Sequence, residues 1–217
     1  MTERAHASEA FGVGVHAPLT EQPRNERGLL VVDKYDRDMV AYVARKLGLP
    51  APGRAGFRQP LTPDFARFGI QPYERRVSEH SNVIMIDGWT RLLTLAIGGG
   101  GTAYAAASTR IGVGTATAAT ATNQTDLSAA AGTGNRFFQP VTGVGTVGTG
   151  TGTRRLSFVS TFGTGDANFV WAEWGIDQGT ASGVGASTAT LLNRAVSAQG
   201  TKASGQTWTA TAMLDFT

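Results

Sequence analysis

The chain has no cysteine, which excludes a disulfide framework, a thiolate metal site and a cysteine nucleophile together. Charge is scarce as well. Charged residues make up 16% of 217, the formal net charge is +3 and the pI is about 9.6. The basic residues are scattered, so no nucleic-acid groove is indicated and no nucleic-acid partner is expected. Histidine is rarer still: His6, His16 and His80 stand apart, without metal-ligand spacing, and no serine sits in a nucleophile elbow. Long apolar runs are missing too. The longest, "NVIMIDGWTRLLTLAIGGGG", is broken by Asp87, Gly88 and Arg91, and "MTERAHASEA" lacks the apolar segment of a signal peptide. The expectation is a soluble, non-secreted chain with no membrane partner.

What is present is unevenly distributed. Residues 1–80 hold 7 of the 8 prolines and 22 of the 35 charged residues, whereas residues 81–217 hold 22 of the 29 glycines. This shift predicts two parts with a boundary near Ser81. The first, 1–80, reads as an extended, Pro-rich N-terminal arm carrying short helices. Asp36 can cap a helix over 36–47, with Met39, Val40, Val43 and Leu47 as its stripe and Gly48 to Pro50 as its stop. A second turn of helix is expected with Thr62 as cap, Pro63 first and Gly69 as stop. Phe57, Leu61, Phe65, Phe68, Ile70 and Tyr73 give the arm more apolar surface than a solvated linker carries. These six residues are expected to dock on something, with a neighbouring subunit as one reading and a linker with a small docked helix as the other.

The second part, 81–217, reads as a Gly/Thr-rich β-domain. A short strand and one helix, with Trp89, Leu92, Leu93 and Ala96 at helical spacing and Gly98 as stop, precede six strand candidates. These are 108–115, 135–147, 154–162, 167–177, 188–196 and 206–216. Glycine-rich turns between them argue for a mainly β fold, an antiparallel β-sandwich or flattened barrel. The Gly/Thr stretch 142–153 reads as a hairpin loop. The Ala/Thr stretch 115–134 has too little bulk for a core and reads as a surface loop with a turn near Asp126.

"GDANFVWAEWG", residues 165–175, poses the functional question, because two carboxylates beside two indoles are what a sugar-cleaving site uses. Strand geometry argues against it. At about 3.3 Å per residue, Asp166 and Glu173 stand roughly 23 Å apart, whereas a glycosidase pair needs about 5–9.5 Å. Asp166 is expected to serve its own turn. Alternation places Glu173 with Phe169 and Trp171 on one face and Val170, Trp174 and Ile176 on the other, so both faces are expected to be covered. Phe169, Trp171, Trp174 and Ile176 are then core residues, and a buried Glu173 needs a cation. Arg194 on the neighbouring strand is the first candidate for a structural ion pair, and Lys202 the second.

Other constellations are weaker. "GGGGTAY" and "GVGTATAATAT" lack the Lys-Ser/Thr ending of a phosphate loop. Asp33, Asp36 and Asp38 lack the glycine and distal glutamate of a calcium loop and fit an acidic helix N-terminus. No catalytic, metal or cofactor residue is expected, and neither is an enzyme. A carbohydrate-binding module using Trp171, Trp174 or Trp208 as a stacking platform is the alternative binding function.

The ordered series "NVIMIDGWTRLLTLAIGG", "TRIGVGTATAATATNQTDL", "FVSTFGTGDANFVWAEWGID" and "LLNRAVSAQGTKASGQTWTATAMLDF" resembles small β-rich virion structural proteins of tailed bacteriophages, over about residues 82–217. The resemblance lies in the series and includes no catalytic signature. It implies a non-enzymatic capsid-associated protein, of decoration or head-surface type, anchored by the arm, with a tail-fibre or collar component as the alternative. The implied partners are the major capsid protein or other virion proteins and further copies of the chain, a trimer among the options, in a particle assembled in the host cytoplasm. The arm falls outside the resemblance.

Overall fold

Two five-stranded antiparallel sheets pack face to face in the computed structural model, which describes residues 27–81, 83–145, 154–185 and 190–216. The elements run β1 (Arg27–Tyr35), α1 (Arg37–Lys46), α2 (Thr62–Arg67), β2 (Glu74–Ser81), β3 (Val83–Ile84), α3 (Ile86–Ala96), β4 (Thr109–Gly114), β5 (Arg136–Pro140), β6 (Gly143–Gly145), β7 (Arg154–Phe162), β8 (Val170–Gln178), β9 (Leu191–Thr201) and β10 (Thr207–Phe216). The first sheet has the order β2-β1-β10-β7-β6 and the second β3-β9-β8-β4-β5. The fold is a mainly β antiparallel sandwich. Leu30, Val32, Phe162, Trp208 and Ala210 of the first sheet meet Ile111, Val113, Trp171, Trp174 and Ile176 of the second in one core. Edge-on aromatic contacts bridge the layers, with Trp171 4.6 Å from Phe162 and 4.9 Å from Trp208 between ring centroids.

The division near Ser81 does not hold for this architecture. β1 pairs with β10 over nine positions and with β2 over eight, so two of the first sheet's five strands come from the segment expected to be an arm. The misreading has a physical origin. "RGLLVVDKY" is apolar on both faces and does not alternate, while "ERRVSEHS" carries one large apolar residue in eight. The remainder of that segment folds over one end of the first sheet's outer face. Asp36 caps α1 by accepting from Met39 N at 2.9 Å, and Val40 and Val43 pack with Tyr35 and Phe65. Tyr35 and Phe65 stack at 3.8 Å. The cap of α2 is Leu61, not Thr62, which is the first helical residue, and the first turn is tied by Leu61 N donating to Asp64 Oδ2 at 2.9 Å.

Two other expectations change. The single strand expected at 135–147 is two strands: β5 lies in the second sheet and β6 in the first. Residues 115–134 are more than a surface loop, because Leu127 and Ala129 are buried against the outer face of the second sheet. Glycine makes this possible. Gly112 and Gly175 pair across β4 and β8, and a Cβ on Gly112 would lie 3.0 Å from Leu127 and 2.5 Å from Phe138. A chain without bulk covers a sheet where the sheet has no side chains in the way. Residues 146–153 of the expected hairpin loop, with His6 and His16, lie outside the described residues.

Candidate functional site

β8 carries the residues that most resembled an active site. Its alternation breaks between Trp171 and Glu173, where the pairing with β9 steps from Gly200 to Val196. This bulge resets the phase of the strand. Trp171 therefore turns into the core with Trp174 and Ile176, whereas Glu173 faces outward to the loop above it. The expected grouping of Glu173 with Phe169 and Trp171 on one face is thus corrected, as is Val170, which is 47% exposed. Phe169, Trp171, Trp174 and Ile176 all lie in the core.

Glu173 is 1% exposed and Arg194 0%. Arg194 Nε donates to Glu173 Oε2 at 2.5 Å, while Ala129 N and Ser128 N donate to the same carboxylate at 2.7 and 3.1 Å. The remaining guanidinium nitrogens donate to Ala118 O, Ala119 O and Gln124 Oε1. Two further arginines repeat the device. Arg110 binds Asp177 through both forks, at 2.5 and 3.0 Å, and donates to Ala181 O. Arg136 binds Asp126 at 2.9 Å and donates to Ala129 O and Val184 O. Both lie against the Phe138 ring. This layer fastens loops to a sheet. Planar forks collect backbone carbonyls that a low-bulk loop cannot shelter by apolar packing.

Lys202, the second candidate for Glu173, goes elsewhere. Its Nζ donates to Gly163 O at 2.7 Å and to Asn168 Oδ1 at 2.8 Å, clamping the turn before β8. Burial lowers its pKa to about 8, against a smaller opposing effect of Asp166. In that turn Asp166 Oδ2 accepts from Gly163 N at 2.9 Å. Asp33 pairs with Arg75 at 2.6 Å, away from the helix terminus that Asp36 and Asp38 occupy. His80 sits on β2 opposite Gly28.

The three tryptophans proposed as sugar platforms are buried: Trp171 and Trp174 are 0% exposed and Trp208 1%. None presents a ring to a ligand. Among the described residues no three His, Cys, Asp or Glu gather as a metal site, and no helix is long and apolar enough to cross a membrane. Two depressions, about 460 and 410 Å³, flank α1 and share Ala41 and Arg45. The first is lined by Met39, Tyr42 and Ile70 with Asp38 and Arg45 as its charged groups, and brings no nucleophile beside a base.

The six apolar residues of the expected arm are largely spent within the chain. Phe65 is fully buried, and Phe57, Phe68 and Ile70 pack around it with α1. Leu61 is half-buried at the start of α2, and Tyr73 is 44% exposed. Free apolar surface lies instead on α3, where Ile86, Leu93 and Ile97 are 56, 60 and 85% exposed. Trp89 and Leu92 of that helix pack on the core, and Gly88 admits it closely against Leu192. Of the stripe expected from spacing, Trp89 and Leu92 pack on the core, whereas Leu93 and Ala96 are exposed. Only the exposure of Ile86, Leu93 and Ile97 marks a surface on α3.

The fold and its surfaces define an antiparallel β-sandwich with one sheet face sealed by loops and with apolar surface on α3. No family model, curated protein or solved structure matches this chain.

Proposed function

We propose that the chain is a non-enzymatic structural protein that acts by assembly, and that its assembly is a bacteriophage particle, on the capsid surface as a decoration or head-surface component. The observation that supports assembly is the outward face of α3, because the large aliphatic side chains of Ile86, Leu93 and the capping Ile97 stand exposed along about three turns of helix among the described residues. The phage reading adds the resemblance of residues 82–217. The buried acids support the non-enzymatic part, since Glu173 and Asp177 have their oxygens engaged by arginine and backbone N–H groups. Docking by α3 on the major capsid protein replaces the apolar arm as the anchor, because the arm's side chains already pack on α1.

The test is the chain's copy number in purified particles, from quantified gels or mass spectrometry. Hundreds of copies per particle are expected for a capsid protein. A handful places it in the tail as a fibre or collar component, and absence from particles overturns the virion reading. Replacement of Leu93 by aspartate tests the surface itself, with loss of incorporation at unchanged folding as the expected outcome.

A further inference from the structure

A two-sheet sandwich has four edges, and this one treats them unequally. Among the described residues β6 is three residues long and β3 two, too short to template another strand. The free side of β5 is taken by Gly183, whose backbone exchanges two hydrogen bonds with Phe138 at 2.8 and 3.0 Å. β2 is different. It is eight residues long, pairs with β1 on one side, and among the described residues receives no backbone bond on the other. Its Val77 is 56% exposed and lies opposite Val31 on the open part of the first sheet's outer face.

Charges on an edge strand ordinarily prevent pairing. On β2 their order does the opposite for one partner, a second copy of the same strand. Antiparallel pairing about a two-fold axis through Val77 makes facing positions sum to 154. Val77 then faces Val77, Arg75 faces Glu79, Glu74 faces His80 and Arg76 faces Ser78. No position faces a like charge, and two arginine–glutamate positions flank the valine contact. The symmetric alternatives are worse: an axis through Arg76 sets Arg76 against itself, and an axis through Ser78 sets Val77 against Glu79. We propose that β2 is a homotypic pairing edge, through which two copies join their first sheets into one continuous sheet with Val77 on the two-fold axis. The proposal extends the assembly reading by naming a second surface and its partner. A single ladder gives a weak, micromolar-class contact, which becomes strong when many copies are held on one particle.

The absence of native cysteine makes the test direct. In the full chain, Val77→Cys is expected to form a disulfide-linked dimer on mild oxidation. Val144→Cys, on the opposite edge and 38% exposed, is expected to remain monomeric on the same gel. Light scattering is expected to show concentration-dependent dimers up to about 100 μM. Val77→Asp, which sets two carboxylates face to face, should weaken dimerisation by at least roughly tenfold with the melting temperature unchanged. A chain monomeric throughout that range, a Val77→Asp variant that dimerises like wild type, or equal cross-linking at Val144 would each overturn the proposal. If such a monomeric chain is still abundant in particles, the edge fails and the virion reading stands. If Val77→Cys cross-links but the chain is missing from particles, the edge stands and the virion reading falls.

Discussion

The two outer faces of the sandwich solve the same problem in opposite ways. The second sheet's outer face is covered by loops poor in bulk, fitted over glycines and held by Arg110, Arg136 and Arg194. The first sheet's outer face is covered at the Tyr35 end by an apolar pack of α1 and α2 and, among the described residues, is left open around Val77, opposite the partly buried Val31. Buried ion pairs are therefore concentrated under the sealed face, while on the first sheet's outer face Val77 is left 56% exposed. Conspicuous polar residues here mark internal fastening. The surfaces offered to a partner among the described residues are marked by aliphatic exposure, on α3 and at Val77 of the β2 edge.

The sealed face should be the easier to break. Glu173→Ala leaves Arg194 buried without its counter-ion, and a loss of about 3–5 kcal/mol is expected in guanidinium denaturation. Replacing both residues with aliphatic side chains of similar size should recover only part of that loss, because Ala118 O, Ala119 O, Ser128 N and Ala129 N then lose their partners. A single substitution costing less than about 1 kcal/mol would mean that the layer is hydrated, and the contrast between the faces would weaken.

On the other face, Phe65→Ala removes the ring that stacks on Tyr35 and is expected to cost about 3 kcal/mol, since Phe65 is fully buried. Hydrogen exchange should show the effect in α1 and α2 while the β7–β10 ladder stays protected, because that cluster is separate from the sandwich core. Exchange spreading evenly through both sheets would show that cap and sandwich unfold as one.

These two outcomes bear on what the sequence disclosed. Apart from 135–147, which holds two strands of different sheets, the strand positions of the second half and the α1 stripe were legible, because their apolar spacing and turn residues agree with the final fold. Arg194 could be named for Glu173 because a buried carboxylate needs a cation and that arginine lies on an adjacent strand candidate. Three things were hidden. β1 is apolar on both faces because its outer face receives Tyr35's helical cap at one end, so it shows no alternation. The bulge beyond Trp171 inverts the phase of β8, and no residue in "VWAEWG" announces it. Leu127 is one leucine in a small-residue loop, and its burial depends on Gly112 and Gly175, well apart in sequence.

Those glycines give a smaller effect with an internal control. Gly175→Ala would put a Cβ 2.6 Å from Asn193 O and 3.2 Å from Leu127, and a loss of about 1–3 kcal/mol is expected. Gly134→Ala, where nothing lies within 4 Å, should change stability by less than about 0.5 kcal/mol. Equal effects at the two positions would remove the argument that the loop fits a glycine trough.

Lys202 supplies the pH dependence. Its folded pKa of about 8 lies below the ordinary lysine value of 10.5. The unfolded chain therefore binds the extra proton between those values, and stability should rise as pH increases from about 8 to 10. The rise is on the order of 1–2 kcal/mol. Above about pH 10 the gain should stop, because burial raises the pKa of Tyr35 and Tyr104 and folding then opposes their ionisation. Lys202→Met should flatten the rise in denaturation midpoint between pH 8 and 10. A rise that survives the substitution would assign it to other groups.

The smallest effect on stability belongs to the surface on which the functional reading rests most. Leu93 is 60% exposed on α3. Leu93→Ser should shift the unfolding free energy by no more than about 0.5 kcal/mol, the range for a surface change away from caps and cores. Removing an aliphatic anchor from an interface can nonetheless cost well over 1 kcal/mol in binding, so the same variant should be depleted from assembled particles at equal expression. A large loss of stability would show that Leu93 is structural after all. Full incorporation would show that α3's apolar face is incidental, and assembly would then have to rest on the β2 edge.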